Sequence, residues 1–252
     1  MYEIGSVTKT MTSLLFAEAV DSGTLTADTT VGSLLNLNSS HAAGSTLEEL
    51  ASHRAGLPRI ASGVKARMSA AVAVLRHRNP YTADLPRLLA QARAAKITAR
   101  GAFLYSNLGV ALLGQALAVP AGTGYPDLLK SRLFTPLGMT RSTTPQTAHE
   151  LSPNAPTGWN AHGRVERPWT MGAYVPAGGV RSTPDDIACY DQALLDDTAP
   201  VLTALPPRWN ADGRSRVGYA WFTDRIDGVD ITWHNGATAQ RRNGRVFQHS
   251  GS

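Results

Sequence analysis

A helix that is apolar almost all the way round must be wrapped by the rest of its chain, and this sequence opens with one. Met11, Leu14, Leu15, Phe16, Ala17, Ala19 and Val20 leave it little polar surface, so it belongs at the centre of the fold. Gly23 stands where such a helix closes through a C′ residue. At its mouth sits Ser6, after a short extended Tyr2-Glu3-Ile4 and a permissive Gly5, with Lys9 three residues on. Residues at that spacing share a helix face, which puts the Lys9 amine beside the Ser6 hydroxyl. A serine hydroxyl is a weak nucleophile without a neighbouring base. The helix N-terminus adds free N–H groups and positive potential suited to developing negative charge. One segment thus supplies nucleophile, base and electrostatic help.

Ser-x-x-Lys occurs twice, at Ser6–Lys9 and Ser62–Lys65. The second copy lies in a basic, Ala-rich stretch with no strand before it, where a surface helix is the plain interpretation. Two further triplets follow downstream. Tyr105-Ser106-Asn107 stands between a strand-like Phe103-Leu104 and a helix from about Leu108 to Ala118. His234-Asn235-Gly236 stands at the end of an expected strand, Val229–Trp233. Taken singly, each has a simpler explanation: Asn107 caps its helix, Tyr105 is an interface tyrosine, His234 is structural. A second His-x-Gly at His249 is set aside because only one residue follows it.

In this order and on these local structures, the three motifs resemble the serine β-lactamase and penicillin-binding superfamily, whose signature begins with S-x-x-K. The likeness is to the branch of class C β-lactamases, D-aminopeptidases and related esterases. It extends to Leu50–Pro58, Tyr105–Gly109, Leu133–Met139 and Pro176–Thr183, and covers roughly residues 2 to 239. The resemblance implies an α+β fold: an antiparallel sheet packed by helices, plus a mainly helical lobe, of the β-lactamase/transpeptidase type. It implies Ser6, Lys9 and Tyr105 as catalytic residues. Lys9, kept neutral by burial and neighbouring charge, takes the Ser6 proton, and Tyr105 shares proton transfer and protonates the leaving group. Ser6 and Ala237 N–H groups form the oxyanion hole. Asn107 holds the substrate amide or the Lys9 amine, and His234 lines the cleft and contacts a carboxylate or leaving group. Gly236 leaves room for substrate along the strand. No cofactor and no metal are expected.

The third motif begins with His234 where β-lactamases usually carry lysine. A histidine is largely uncharged at neutral pH, so it anchors a drug's carboxylate weakly. That favours esterase, D-amino-acid peptidase or amidase activity over β-lactam hydrolysis. The expected substrate is a small ester, peptide or β-lactam. The contrasting function class is a non-catalytic truncated remnant, or a penicillin- or peptidoglycan-binding protein without turnover.

At 252 residues, 42% of them hydrophobic, the chain can bury a full core. No stretch approaches the ~20 apolar residues of a membrane span, and no export signal is legible, although the resembling family is commonly exported. Cys189 is the sole cysteine, which excludes an intrachain disulfide; a small buried residue is its expected role. The net charge is +5, with the excess concentrated between Arg54 and Arg100. Tyr81 is the sole aromatic in that span, so base stacking has no platform and nucleic-acid binding is not expected; a solvated basic face is. Oligomeric state is not legible.

Capping boxes predict helices from Thr46 and from Thr183-Pro184, Asp84 with Pro86 starts another, and Tyr125–Phe134 stops before Pro136. Residues 140–180 read as a long irregular region. Val217–Thr223 and Val229–Trp233 flank Asp227-Gly228, a hairpin signal. The domain expected is 1–239, with a helical lobe at about 46–200 and a sheet part at 1–23 and 215–239. Residues 240–252 read as a polar, non-family tail. Both ends look cut relative to the family, with outer sheet strands missing. The apolar helix and the Val229–Trp233 strand edge are therefore expected to lie open, which invites aggregation.

Overall fold

The computed structural model describes residues 1–60, 79, 81–153, 155–156, 158–159, 165–166, 168–199, 201–238 and 241–249, the last segment through its backbone. Ser62, Lys65, Arg67, Arg76 and Arg78 lie outside the described residues.

The short strand β1 (Tyr2–Glu3) leads through a 3-10 turn, Gly5–Val7, into the long helix α1 (Thr8–Asp21). Short helices α2 (Val31–Leu34) and α3 (Leu47–Ala51) follow, then α4 (Leu85–Arg93), α5 (Asn107–Ala118) and α6 (Tyr125–Leu129). Next come strands β2 (Gly158–Trp159) and β3 (Val165–Glu166), helix α7 (Val175–Gly178), strand β4 (Arg181–Ser182) and helix α8 (Pro184–Leu195). Strands β5 (Trp209–Asn210), β6 (Arg216–Val217), β7 (Phe222–Ile226), β8 (Val229–Thr238) and β9 (Arg241–His249) form one antiparallel sheet in chain order. β1 pairs with β4, and β2 with β3. The fold is α+β.

The caps act as the sequence dictates. Thr46 Oγ1 accepts from Glu49 N at 3.2 Å while the Glu49 carboxylate accepts from Thr46 N at 2.9 Å, a reciprocal box that satisfies two orphan donors. Asp84 caps α4 at 3.0 Å and Thr183 caps α8 at 3.2 Å. Ser106, not Asn107, caps α5, accepting from Gly109 N at 2.9 Å. Asn107 is thereby the first residue of α5 and free of capping duty.

α1 is buried from Thr8 through Ala17, packed against α5, α7 and the turn Leu202–Ala204. The expected open apolar face is therefore not observed along those residues. Its buried hydroxyls find partners, as burial requires: Tyr190 donates to Thr10 at 2.9 Å, and Thr12 lies 2.6 Å from the Tyr125 hydroxyl. The tight turn between β7 and β8 has φ of 50° at Asp227 and 84° at Gly228, the two positive values a type I′ hairpin needs.

Four expectations change. Val217–Thr223 is two strands, broken where Gly218 N bonds Trp221 O at 2.8 Å. β8 runs on to Thr238, so His234-Asn235-Gly236 lies within a strand instead of at its end. β9, in the segment set aside as a polar tail, pairs along β8 from Ile231 to Thr238 and covers the edge expected to be open. Its polar sequence hides it from a search for apolar alternation, whereas the ladder is made by backbone groups. Cys189 is exposed, not buried.

Candidate active site

The Gly5–Val7 turn and β8 meet backbone to backbone. A Cβ on Gly5, whose φ is +54°, would lie 2.9 Å from Ala237 N and 2.8 Å from Ala237 O. A Cβ on Gly236 would lie 2.0 Å from Ile4 O. Only glycine permits either approach. Gly236 thus serves to seat β8 against the residues before Ser6, a different reason from the room for substrate read in the sequence. Ala237, exposed on the other face of β8, lines a cavity of about 120 Å³ together with Ser6, Asn107 and Tyr81.

Ser6 is half-buried at the cavity floor, and Lys9 beneath it has no solvent exposure. Lys9 Nζ lies 3.0 Å from Ser6 Oγ and donates to the carbonyl of Ala177, in α7. Burial first and the Arg59 charge second hold the Lys9 pKa well below the usual lysine value. The amine is therefore biased toward its neutral form, with a lone pair for the Ser6 proton.

Tyr105 closes the other side. Its ring lies 5.0 Å from Lys9 Nζ, and burial pushes its phenol up to about 12, opposed by the adjacent Ser6 hydroxyl and by Arg59. A phenol at that value keeps its proton at neutral pH, which leaves Lys9 as the group able to accept one. His53 stacks on Tyr105 with ring centroids 4.4 Å apart, and its Nδ1 accepts from Ser106 N at 3.2 Å. That bond fixes His53 as the Nε2–H tautomer, and burial, then Lys9 and His234, lower its pKa well below the ordinary value.

His234 approaches from inside the fold. It is fully buried, 6.5 Å from Tyr105 between ring centroids, and its Nδ1 donates to Asn235 O at 2.7 Å. Burial and Lys9, against the pull of that carbonyl, bring its pKa down to about 3. It does not line the cavity, so the expected contact with a substrate carboxylate is replaced by a neutral ring packed beneath Tyr105. Asn107 Nδ2 donates to the Tyr81 hydroxyl at 2.7 Å, and its buried Oδ1 has no partner among the described residues. Lys9 is held by Ala177 O, not by Asn107.

The structure brings Ser6, Lys9, Tyr105, Asn107, His234, Gly236 and Ala237 into one region. It adds Ala177 O, His53, Tyr81 and Arg59, which motif spacing did not flag. A backbone carbonyl has no sequence signature, and Tyr81 and Arg59 stood out only as the aromatic and one of many cations in a basic stretch. Among the described residues no three His, Cys, Asp or Glu side chains are placed to hold a metal. Among the described residues no helix is long and apolar enough to cross a membrane.

A family model described as beta-lactamase matches residues 1–252. The chain belongs to the beta-lactamase family. The match of this beta-lactamase family member extends through residues 240–252, past the boundary drawn at 239. It is 25% identical to Beta-lactamase-like protein 2 of Dictyostelium discoideum, over 79% of this chain and 36% of that protein. Among solved structures it resembles a D-stereospecific amidohydrolase from Streptomyces sp., with a TM-score of 0.76 at 20% identity over 94% of this chain and 75% of the other. A class C beta lactamase from Rhodobacter sphaeroides gives 0.75 at 20%, over 95% and 74%. The octameric penicillin-binding protein homologue from Pyrococcus abyssi gives 0.73 at 22%, over 94% and 56%. The chain thus spans about a third of the curated relative and just over half of the Pyrococcus protein.

Proposed function

We propose that this protein is a serine hydrolase that cleaves an ester or amide through an acyl-enzyme on Ser6. The observation that carries the reading is a buried, pKa-lowered Lys9 amine 3.0 Å from the Ser6 hydroxyl. Neutral Lys9 takes the Ser6 proton as Oγ attacks the carbonyl. The Ser6 and Ala237 N–H groups stabilise the oxyanion, one such donor being worth about 3 kcal/mol in the transition state. Tyr105, still a phenol, donates to the leaving group and is recharged by the proton on Lys9. Asn107 Oδ1, buried and unmet, is available to a substrate N–H. Water then repeats the sequence on the acyl carbonyl.

The amidohydrolase and class C likenesses are compatible with amide and ester chemistry alike. The neutral, buried His234 supports esters and D-amino-acid amides over β-lactams, because it offers no charge to a drug's carboxylate. A fluorescent fluorophosphonate is expected to label Ser6, and the label to vanish in Ser6→Ala. A folded protein that resists labelling defeats the hydrolase reading and favours the non-catalytic remnant. Labelling by a penicillin probe with no subsequent turnover favours the binding protein. Faster hydrolysis of a chromogenic cephalosporin than of short p-nitrophenyl esters reverses the substrate order.

A further inference from the structure

We propose that His53 is a positioning residue that holds the Tyr105 phenol in line to protonate the leaving group. This rests on the hydrolase reading above and gives a role in the same reaction to a residue outside its three motifs. His53 belongs to the loop that follows α3, and Tyr105 to the segment that leads into α5.

His53 grips Tyr105 at three points. Its backbone carbonyl accepts from Leu104 N at 2.7 Å, one residue before the tyrosine. Its Nδ1 accepts from Ser106 N at 3.2 Å, one residue after. Its ring packs on the Tyr105 ring with centroids 4.4 Å apart and planes inclined by 34°. The two main-chain anchors fix where the tyrosine side chain leaves the backbone, and the stack limits how its ring can turn. Ser106 is itself pinned, donating to Pro58 O at 2.8 Å and accepting from Gly109 N at 2.9 Å, so Tyr105 hangs from a fixed frame. Only the carbonyl anchor would survive any substitution; the other two need the imidazole.

A histidine is a poor choice for this backbone. His53 stands just past Ser52, the C-cap of α3, with a φ of +60°, the left-handed conformation that glycine adopts most readily at a helix end. The residue is 1% exposed. Its Nε2 has no hydrogen-bond partner among the described residues, which costs free energy in a buried group. A glycine would relieve the backbone, and a leucine or phenylalanine would fill the volume with no polar atom to leave unpaired. None of these could accept from Ser106 N. A strained, buried residue beside the reacting groups points to a functional constraint. Burial, then the Lys9 and His234 charges, keep the imidazole neutral, so Nδ1 retains the lone pair that the Ser106 bond uses.

What the grip controls is proton delivery. As the acyl–oxygen bond of an ethyl ester breaks, its electron pair stays on the ethoxide oxygen. The Tyr105 proton goes to that oxygen, and the Lys9 ammonium returns a proton to Tyr105. A positioned general acid is worth about 10²–10⁴-fold, and misplacement by about 1 Å costs about 10²-fold. The demand depends on the leaving group. Ethoxide needs the proton, whereas p-nitrophenolate departs as a stable anion without it.

Ethyl butyrate and p-nitrophenyl butyrate form a matched pair of probes, since both give the same acyl-enzyme. On the full chain, kcat/KM for each is measured in wild type, His53→Gly, His53→Asn, Tyr105→Phe and the His53→Gly/Tyr105→Phe double variant, with folding checked by circular dichroism. His53→Gly is expected to lose about 10²-fold on the ethyl ester and no more than about tenfold on the p-nitrophenyl ester. His53→Asn offers Oδ1 to Ser106 N and tolerates a positive φ. It is expected to recover part of the ethyl-ester loss, and it carries the test if the glycine variant unfolds. On the ethyl ester the double variant is expected to be no worse than Tyr105→Phe alone. Equal losses on both esters in a folded His53 variant, no loss on the ethyl ester, or a full further loss in the double variant overturn the positioning role while leaving the hydrolase standing. A wild type that cleaves the p-nitrophenyl ester but not the ethyl ester has no working acid to position, and overturns it too. A wild type that cleaves neither and resists a fluorophosphonate at Ser6 overturns the hydrolase and the positioning role together.

Discussion

Gly236→Ala tests whether the site is assembled by backbone contact. The added Cβ would stand 2.0 Å from Ile4 O and 3.2 Å from Val7 Cγ2. Ile4 O is main chain and also accepts from Val7 N at 3.3 Å, so no side chain can swing clear. Cβ contacts under 3.0 Å essentially do not occur, so β8 and the Gly5–Val7 turn must separate by about 1 Å, an overpacking expected to cost about 1–3 kcal/mol. For a chain of this size that lowers the melting temperature by several degrees. A displacement of about 1 Å between nucleophile and oxyanion donor costs about 10²-fold in rate. The assay is the rate of Ser6 labelling by a fluorophosphonate, with kcat/KM for p-nitrophenyl acetate and for a bulky acyl ester. Both esters are expected to lose alike, because the damage lies behind the serine. A variant that keeps acetyl hydrolysis and loses only the bulky ester refutes the reasoning and restores Gly236 as a provider of substrate room.

Three further outcomes follow from the charges. If neutral Lys9 is the base, kcat/KM rises with pH through its lowered pKa, and Arg59→Gln, by removing a repelling charge, moves that limb to higher pH; a limb that stays put or moves down contradicts it. His234 has a folded pKa of about 3 against an ordinary 6.5, so its contribution to stability is complete above about pH 6.5. It is lost as pH falls toward 3, at up to about 1.4 kcal/mol per unit, because the unfolded chain alone takes the proton. Thermal melts from pH 8 to 4 are expected to show a shallower acid slope in His234→Asn, with His53 supplying the remainder. Glu3 and Arg181 form a buried ion pair at 2.5 Å, with side chains 6% and 4% exposed, and Glu3 also accepts from Trp169 N at 2.7 Å. Glu3→Gln is expected to destabilise the fold by about 3–5 kcal/mol, read by denaturant unfolding; a loss near zero would mean the pair is solvated.

The local grammar of this chain was readable because its signals are local. The Thr46 and Thr183 caps, the Asp227-Gly228 turn and the all-round apolar α1 depend on residues a few positions apart. Motif order also placed Ser6, Lys9 and Tyr105 together. Expectation failed where a long-range partner decides the outcome. His234 looked like a cleft residue because a motif tells nothing of which face of β8 is covered. Gly236 had a steric reason that only the position of Ile4 reveals. β9 was hidden by a polar sequence, and the Ala177 carbonyl that holds Lys9 could come from any residue type.

The contact between Gly5 and Ala237 joins points separated by most of the polypeptide. On a ribosome adding about 5–20 residues per second, Ser6 has been made for on the order of tens of seconds before the strand that carries Ala237 exists. On the proposed mechanism, a chain that stops short of Ala237 lacks one oxyanion donor, a loss of about 10²–10³-fold in rate. The proposed oxyanion pair of Ser6 and Ala237 is therefore complete only late in synthesis.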